Sequence, residues 1–227
     1  AIQTNGTIAF AGFSAIAATL VGRYATDGTL DTSFFTVGYI NPAFPDQAIA
    51  PSLGIVMDSG GELVVGEGLS TDGAQFQYGV QKFLSDGILD TAFHTDGSAT
   101  SFITDFAPGQ MQTRLSRDRE GRLLTFGYSD QETDFLVYRY LSNGELDTSF
   151  DTDARQLTDI FGEEESGGRG VVTANDKTVQ TGVGIEDTDP DAALVRLRND
   201  GSLDTAFHSD GKATLGLDNV EMGLAVG

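Results

Sequence analysis

Aspartates at alternate positions are the clearest candidates for chemistry in this sequence. Asp187, Asp189 and Asp191 present carboxylate oxygens in the alternating pattern that suits Ca²⁺. The spacing is not that of an EF-hand loop, because counting from Asp187 places Ala192 where glycine is needed and Arg198 where glutamate is needed. The equivalent loops elsewhere in the chain are also acidic or polar. We therefore expect a solvated acidic rim, with a calcium site at these three aspartates as the alternative.

The two histidines are the next candidates. His94 and His208 are 114 residues apart and occupy equivalent positions in a repeated pattern described below. A pair of metal ligands or a general base is one interpretation. Phe35 and Asp151 fill the same position elsewhere in the chain, which favours a structural turn position.

No motif for catalysis or cofactor binding is present in the sequence. There is no G-x-S-x-G elbow, no phosphate-binding P-loop and no H-E-x-x-H pair, and cysteine is absent. Carboxylates are too numerous for one pair to be singled out as an acid and base. The run 163–165 is predicted to be a charged loop. We therefore predict no catalytic residue and no cofactor, calcium aside.

The charge balance limits the classes of partner. The 227 residues carry 34 acidic and 13 basic side chains, a net charge of −21. Such a surface repels phosphate backbones and anionic lipids, which disfavours nucleic-acid and membrane-surface binding. No apolar stretch is long enough to span a membrane, so membrane insertion is not expected.

One phrase occurs four times along the chain. Its copies start at residues 27, 86, 143 and 200, so that the repeat is about 57 residues long. The copies read DGTLDTSF, DGILDTAF, NGELDTSF and DGSLDTAF. Each follows an apolar run that ends in a cation or an aromatic residue. A second apolar run lies about a dozen residues further upstream.

These runs predict the elements that position the phrase. They are short, rich in β-branched and aromatic residues and bounded by Gly and Asp, which is typical of strands. Two weaker strands follow each phrase, which gives about four antiparallel strands per repeat. We therefore predict an all-β, β-propeller-like fold with four repeats, each a four-stranded antiparallel blade.

The repeats fill the chain in register. Ala225-Val226-Gly227 occupies the place in the repeat that Ala1-Ile2-Gln3 occupies four repeats earlier. We therefore treat residues 1–227 as a single repeat domain. It is either a closed four-bladed ring or, as we favour slightly, a segment of a longer array.

The phrase itself has a complete structural explanation. Its Asp-Gly or Asn-Gly step supplies the positive φ of a tight turn. We expect its Leu and Phe to enter the core on either side of that turn. The Asp and Thr between them can bond nearby backbone N–H groups.

The repeated segments resemble the delta-60 repeat family of bacterial proteins. The resemblance covers essentially the whole chain and is sharpest at 23–34, 139–150 and 200–211. A second Asp-Gly pair of that pattern is present at 96–97 and 210–211 and is replaced at 37–38 and 153–154. The resemblance implies propeller-like repeats in large secreted or surface proteins, and it implies no defined activity.

Three candidate functions remain. We favour a non-enzymatic structural or interaction module that is extracellular or on the cell surface. Its partners would be protein, carbohydrate or further copies of itself, the last through exposed edge strands. The alternatives are a propeller hydrolase or lyase acting on polysaccharide and a calcium-dependent carbohydrate-binding module.

Overall fold

A computed structural model describes most of the chain as short antiparallel strands. The described residues are 1–3, 5–13, 19–42, 48–70, 76–101, 114–128, 134–162, 165–186 and 189–216. The chain divides into two compact units, unit 1 (Ala1–Thr113) and unit 2 (Arg114–Gly227). Each unit holds two of the four repeats. That the whole chain is one repeat domain stays a prediction.

Unit 1 contains two sheets. The first has the order β1-β2-β3 and the second β4-β5-β6-β7, with antiparallel neighbours throughout. Its elements are β1 (Ile8–Phe13), β2 (Thr19–Tyr24), the helical turn α1 (Phe35–Gly38), β3 (Tyr39–Ile40), β4 (Ala48–Met57), β5 (Leu63–Ser70), β6 (Phe76–Phe83) and β7 (Ser98–Ser101).

Unit 2 contains two further sheets. The third has the order β8-β9-β10-β11 and the fourth β12-β13-β14-β15, again with antiparallel neighbours. Its strands are β8 (Arg114–Arg117), β9 (Leu123–Tyr128), β10 (Phe135–Tyr140), β11 (Arg155–Thr158), β12 (Glu165–Val172), β13 (Thr178–Glu186), β14 (Asp189–Leu197) and β15 (Lys212–Leu215).

The predicted all-β architecture of repeated antiparallel sheets is confirmed. Strands follow one another in sequence order within each sheet, so every sheet is built from hairpin connections. Three sheets have four strands, and the first has three strands among the described residues. No helix within the described ranges is long and apolar enough to span a bilayer.

Each unit packs a core between its two sheets. In unit 1, Val21 of β2 and Phe34 of the first phrase lie in one cluster with Leu63 and Val65 of β5. In unit 2, Phe126 and Val137 of the third sheet lie in one cluster with Val195 of the fourth. The alternation of each strand therefore presents an apolar face to the next sheet in the unit.

The repeated phrase forms the predicted tight turn. Its four glycines have φ between 84° and 91° (Gly28, Gly87, Gly144 and Gly201). The residue before each glycine accepts a hydrogen bond at its side-chain oxygen from the backbone N–H two residues later (Asp27, Asp86, Asn143 and Asp200). The second aspartate of each phrase does the same (Asp31, Asp90, Asp147 and Asp204).

The apolar residues of the phrase follow the prediction less closely. Its phenylalanine is buried in three copies, at Phe34, Phe93 and Phe150. Leu89 and Leu203 pack against the cores, but Leu30 is 41% exposed. For Leu30 the prediction is wrong, because its bridge partner Tyr24 is itself exposed, whereas Phe83, the bridge partner of Leu89, is buried.

A second turn after each phrase has a left-handed residue in all four repeats. Gly38, Gly97 and Gly211 fill it in three repeats, and Ala154 fills it in the third repeat with φ 71°. Each of these residues donates its backbone N–H to the carbonyl of the phenylalanine of the phrase, four residues earlier. The backbone conformation is therefore kept where the Asp-Gly pair is lost.

Ala154→Gly is expected to stabilise the protein by roughly 0.2–1.2 kcal/mol. A left-handed conformation costs a non-glycine residue about 1–2 kcal/mol, and losing one buried methyl group offsets about 0.8 kcal/mol of that gain. Urea denaturation followed by far-UV circular dichroism measures the difference. The matched Gly211→Ala is expected to destabilise, because its Cβ would lie 3.0 Å from the Leu203 Cβ and 3.1 Å from the Asp204 nitrogen. A loss of stability in Ala154→Gly would contradict the strain argument.

Candidate functional site

A buried arginine joins the two sheets of unit 2. Arg139 on β10 donates from Nε to the Asp147 carboxylate of its own phrase, at 2.7 Å. Its Nη1 donates to the backbone carbonyl of Asn199, in the turn after β14 of the fourth sheet. The guanidinium also lies over the Phe150 ring, 4.5 Å from the centroid. One side chain therefore ties the phrase of one sheet to the turn of the next.

Unit 1 repeats this joint. Arg23 on β2 donates to Asp31 at 2.7 Å and to the backbone carbonyl of Ser85 at 2.7 Å. It lies over the Phe34 ring at 5.1 Å. A backbone hydrogen bond reinforces the joint in each unit, from Phe35 to Asp86 in unit 1 and from Asp151 to Asp200 in unit 2.

The remaining two repeats keep the ion pair. Lys82 contacts Asp90 at 2.9 Å, and Arg196 contacts Asp204 at 2.7 Å. In every repeat the cation precedes its aspartate by eight residues. The sequence pattern of the phrase predicted only a turn and did not predict this ion pair between the cation and the second aspartate. The sequence signal for it is the cation that lies one residue before the end of each apolar run.

A cavity lies beside the joint in each unit. The unit 1 cavity, of about 390 Å³, is lined by Arg23, Asp31 and Asp86 together with neutral residues such as Thr7 and Ser85. The unit 2 cavity, of about 520 Å³, is lined by one carboxylate, Asp200, by neutral polar residues, and by four cations, Arg122, Arg139, Lys177 and Arg198. We take this second space, called here the cationic cavity, as the candidate functional site.

The cationic cavity brings four cations together, and each is paired with a carboxylate, Arg139 with Asp147, Arg122 with Asp118 and Glu120, and Lys177 and Arg198 with Asp204. Burial first and the neighbouring Arg122 charge second lower the pKa of Arg139. The Asp204 carboxylate contacts three cations, Arg196 at 2.7 Å, Lys177 at 3.3 Å and Arg198 at 3.7 Å, of which Lys177 and Arg198 line the cavity. Counting Asp200, which also lines the cavity, these three cations face two carboxylates, which leaves a small excess of positive charge.

The predicted calcium ligands are only partly described. Asp187 lies outside the described residues, and Asp189 is described only by its backbone, which pairs with Glu186. Asp191 lies on β14 opposite Gly184. Among the residues that are described, no group of three or more acidic or histidine side chains is placed to hold a metal. The calcium site therefore stays a prediction.

The two histidines occupy the turn positions that the sequence indicated. His94 has φ 53° and His208 φ 45°, and Phe35 and Asp151 have matching values of 47° and 44°. All four residues directly follow the phenylalanine of the phrase. The histidines therefore share a backbone conformation with a phenylalanine and an aspartate, so this turn position does not require a histidine.

Two buried glutamates were not expected from the sequence. Glu67 on β5 has no exposed surface, and neither carboxylate oxygen has a well-aligned hydrogen-bond donor among the described residues. Burial raises the pKa of Glu67 to about 7, and the Thr19 hydroxyl opposes part of that rise. Strand register places Gly12, Gly127 and Gly182 at this position in the other sheets.

Glu165 corrects the prediction of a charged loop at 163–165. Residues 163 and 164 lie outside the described residues, but Glu165 begins β12 and is buried. Its carboxylate accepts hydrogen bonds from the backbone N–H groups of Ile160 at 2.5 Å and Phe161 at 2.7 Å. Burial raises its pKa, against those two hydrogen bonds. The side chain therefore closes the turn before β12.

Comparison with known proteins supports the fold. A family model described as a β-propeller domain of unknown function (DUF5122) matches residues 121–150 and 177–207. Both segments run from the turn before a strand to the end of the repeated phrase. The protein is β-propeller-like. A comparison with curated proteins finds no match.

Two solved structures show a weak likeness to this β-propeller-like chain. One is an exo-β-1,3-galactanase from Clostridium thermocellum, with a TM-score of 0.48 and 11% identity over 94% of this chain and 46% of its own. The other is a glycoside hydrolase, with a TM-score of 0.29 and 10% identity over 66% of this chain and 45% of its own. The chain spans less than half the length of either structure. Neither likeness supports an inference about activity.

Proposed function

We propose that this chain is a non-catalytic binding module built from delta-60-like repeats, part of an extracellular or cell-surface protein. Its partner would be a carbohydrate or another protein. The observation that carries the proposal is the use made of the repeated polar residues. In every repeat the cation and the second aspartate of the phrase pair with each other. A catalytic group is needed once in a protein, whereas these residues occur in all four repeats and pair with each other. We therefore assign them to the scaffold and not to catalysis.

The joints support a rigid scaffold with a variable surface. Arg23 and Arg139 each bridge two sheets through the same set of contacts, so the sheets of a unit are held by equivalent bonds. The residues around the bridges differ between the units, as the two cavities illustrate. A constant frame with changing side chains at its joints is typical of repeat proteins that bind partners.

The competing function is a polysaccharide hydrolase or lyase. A single unusual carboxyl group, Glu67, is the observation closest to it, because the other repeats have glycine there. Glu67 has no exposed surface, so a substrate would have to open the core to reach it. We therefore retain the binding role.

Binding and hydrolysis are separated by one paired experiment. The protein is applied to an array of polysaccharide fragments, and the same fragments are incubated with it and assayed for new reducing ends and for unsaturated products. We expect retention of at least one fragment class with no product above the level of a buffer blank. Product formation that scales with protein concentration would overturn the proposal in favour of the enzyme.

A further inference from the structure

We propose that the cationic cavity of unit 2 binds an oxyanion carried on a sugar, such as the carboxylate of a uronic acid, with Lys177 and Arg198 contacting the anionic group. This inference rests on the proposed binding role and names its ligand class. The cavity volume of about 520 Å³ lies within the usual range for small-molecule sites, about 300–1,000 Å³.

The two exposed cations are the ones placed to meet a ligand. The side chains of Lys177 and Arg198 are 34% and 42% exposed, whereas that of Arg139 is 3% exposed. The Lys177 Nζ has three protons and contacts the Asp204 carboxylate at 3.3 Å. Arg139 is instead committed to the joint. Arg139 therefore forms part of the cavity wall, and Lys177 and Arg198 are available to an incoming anion.

Neutral polar groups next to these cations add hydrogen-bonding capacity to the site. Asn175 and Ser149 line the same cavity. The Asn199 amide oxygen is held by Arg122 Nη2 at 2.6 Å and by Arg139 Nη1 at 3.2 Å. Two amides and a hydroxyl beside two cations match a ligand that carries both hydroxyl groups and an oxyanion, and charge-assisted hydrogen bonds to that anion are the strong ones.

Unit 1 provides an internal comparison. The turn hydrogen bonds place Thr7 where unit 2 has Arg122, Glu62 where it has Lys177 and Leu84 where it has Arg198. The unit 1 joint forms with those residues, since Arg23 keeps its bonds to Asp31 and Ser85. The three cations are therefore not required to hold two sheets together. Each of the three pairs with a carboxylate outside the Arg139–Asp147 joint, Arg122 with Asp118 and Glu120, and Lys177 and Arg198 with Asp204, and the exposed Lys177 and Arg198 keep further N–H donors for an anion.

Isothermal titration calorimetry with three probes tests the inference. D-glucuronate, D-glucose and inorganic sulfate are titrated into the protein at low ionic strength and again at about 0.5 M salt. We expect glucuronate to bind, glucose not to bind, and the glucuronate affinity to fall with salt because exposed charges are screened. If sulfate and glucuronate bind equally well, the cavity is an oxyanion site, and the proposal that the ligand is a sugar is overturned. Absence of glucuronate binding would overturn the inference.

A matched pair of variants assigns the site. Lys177→Glu combined with Arg198→Leu installs the unit 1 residues, and we expect glucuronate affinity to fall at least about tenfold. Arg155→Gln, an exposed cation outside the cavity, is expected to leave affinity unchanged. Circular dichroism and the melting temperature check that both variants are folded. Unchanged affinity in the double variant would overturn the site.

The outcomes also separate this inference from the binding role itself. Retention of a neutral glycan or a protein, unaffected by the double variant, would remove the cationic cavity as the site and leave the binding module intact. Conversion of a fragment to product would instead remove the non-catalytic role.

Discussion

Arg139→Met is expected to destabilise the protein by about 3–5 kcal/mol. The arginine is 3% exposed and its partner Asp147 is 5% exposed, so the substitution leaves a carboxylate buried without its cation. Removing one partner of a buried ion pair typically costs that much, because the remaining charge has lost its solvation and its compensation. The Asn199 carbonyl and the Phe150 ring also lose their contacts with the guanidinium. Urea denaturation followed by far-UV circular dichroism measures the loss, since the chain has no tryptophan.

A second ion pair on the same sheet provides the control. Arg155 contacts Asp153 at 2.9 Å, with side chains 40% and 53% exposed. Arg155→Met is expected to change the free energy of unfolding by less than about 1 kcal/mol, because exposed pairs contribute little. Adding Asp147→Asn to Arg139→Met should restore part of the loss, since it removes the uncompensated charge and keeps the oxygen that caps the turn. A loss below about 1 kcal/mol in Arg139→Met would mean that the joint does not depend on this arginine.

The turns could be predicted from the sequence because their causes are local. An Asp-Gly or Asn-Gly step needs a positive φ and offers a side-chain oxygen to the next backbone N–H groups, and both features were found in all four copies. The strands followed from apolar runs between those turns. Four repetitions of a weak local signal made the assignment of an all-β fold firm.

The joint could not be predicted in the same way because its partners are distant in sequence. The bond from Arg139 to Asn199 spans 60 residues, and that from Arg23 to Ser85 spans 62. A turn motif specifies its own backbone and says nothing about which neighbouring turn will lie against it. The cationic cavity has the same origin, since Arg122 and Lys177 come together only when the third and fourth sheets pack.

Burial of single polar residues was the other failure, at Glu67 and Glu165. A glutamate between small residues on a strand gives no sequence signal for its depth, because depth depends on the sheet packed over it. Glu67 lies opposite Gly79 on β6, and the Thr19 hydroxyl of β2 is close enough to affect its pKa. Leu30 shows the opposite case, an apolar residue that stays exposed because little packs over it.

Glu67→Gln is expected to stabilise the protein at pH 8 by about 3 kcal/mol and to change little at pH 4. The pKa of Glu67 is raised from an ordinary 4.5 to about 7 in the folded protein. Between those values the folded state keeps the proton that the unfolded state releases, so stability falls as pH rises and is lowest above about pH 7. At about 1.4 kcal/mol per pH unit, the difference amounts to about 3 kcal/mol.

Denaturation curves for the wild type and Glu67→Gln between pH 4 and 8 test this sign as well as the size. The glutamine variant lacks the titrating group, so its stability should decline less with pH than that of the wild type over the interval from about 4.5 to 7. Glu145→Gln, on an exposed turn, is the matched control and should keep the slope of the wild type. Parallel wild-type and Glu67→Gln curves would show that the carboxylate finds solvent or a cation in the folded protein. A variant that is more stable than the wild type at pH 8 would instead show that the buried Glu67 carboxyl group lowers the stability of the protein at that pH. The other three repeats avoid this loss of stability because they have glycine at the equivalent position.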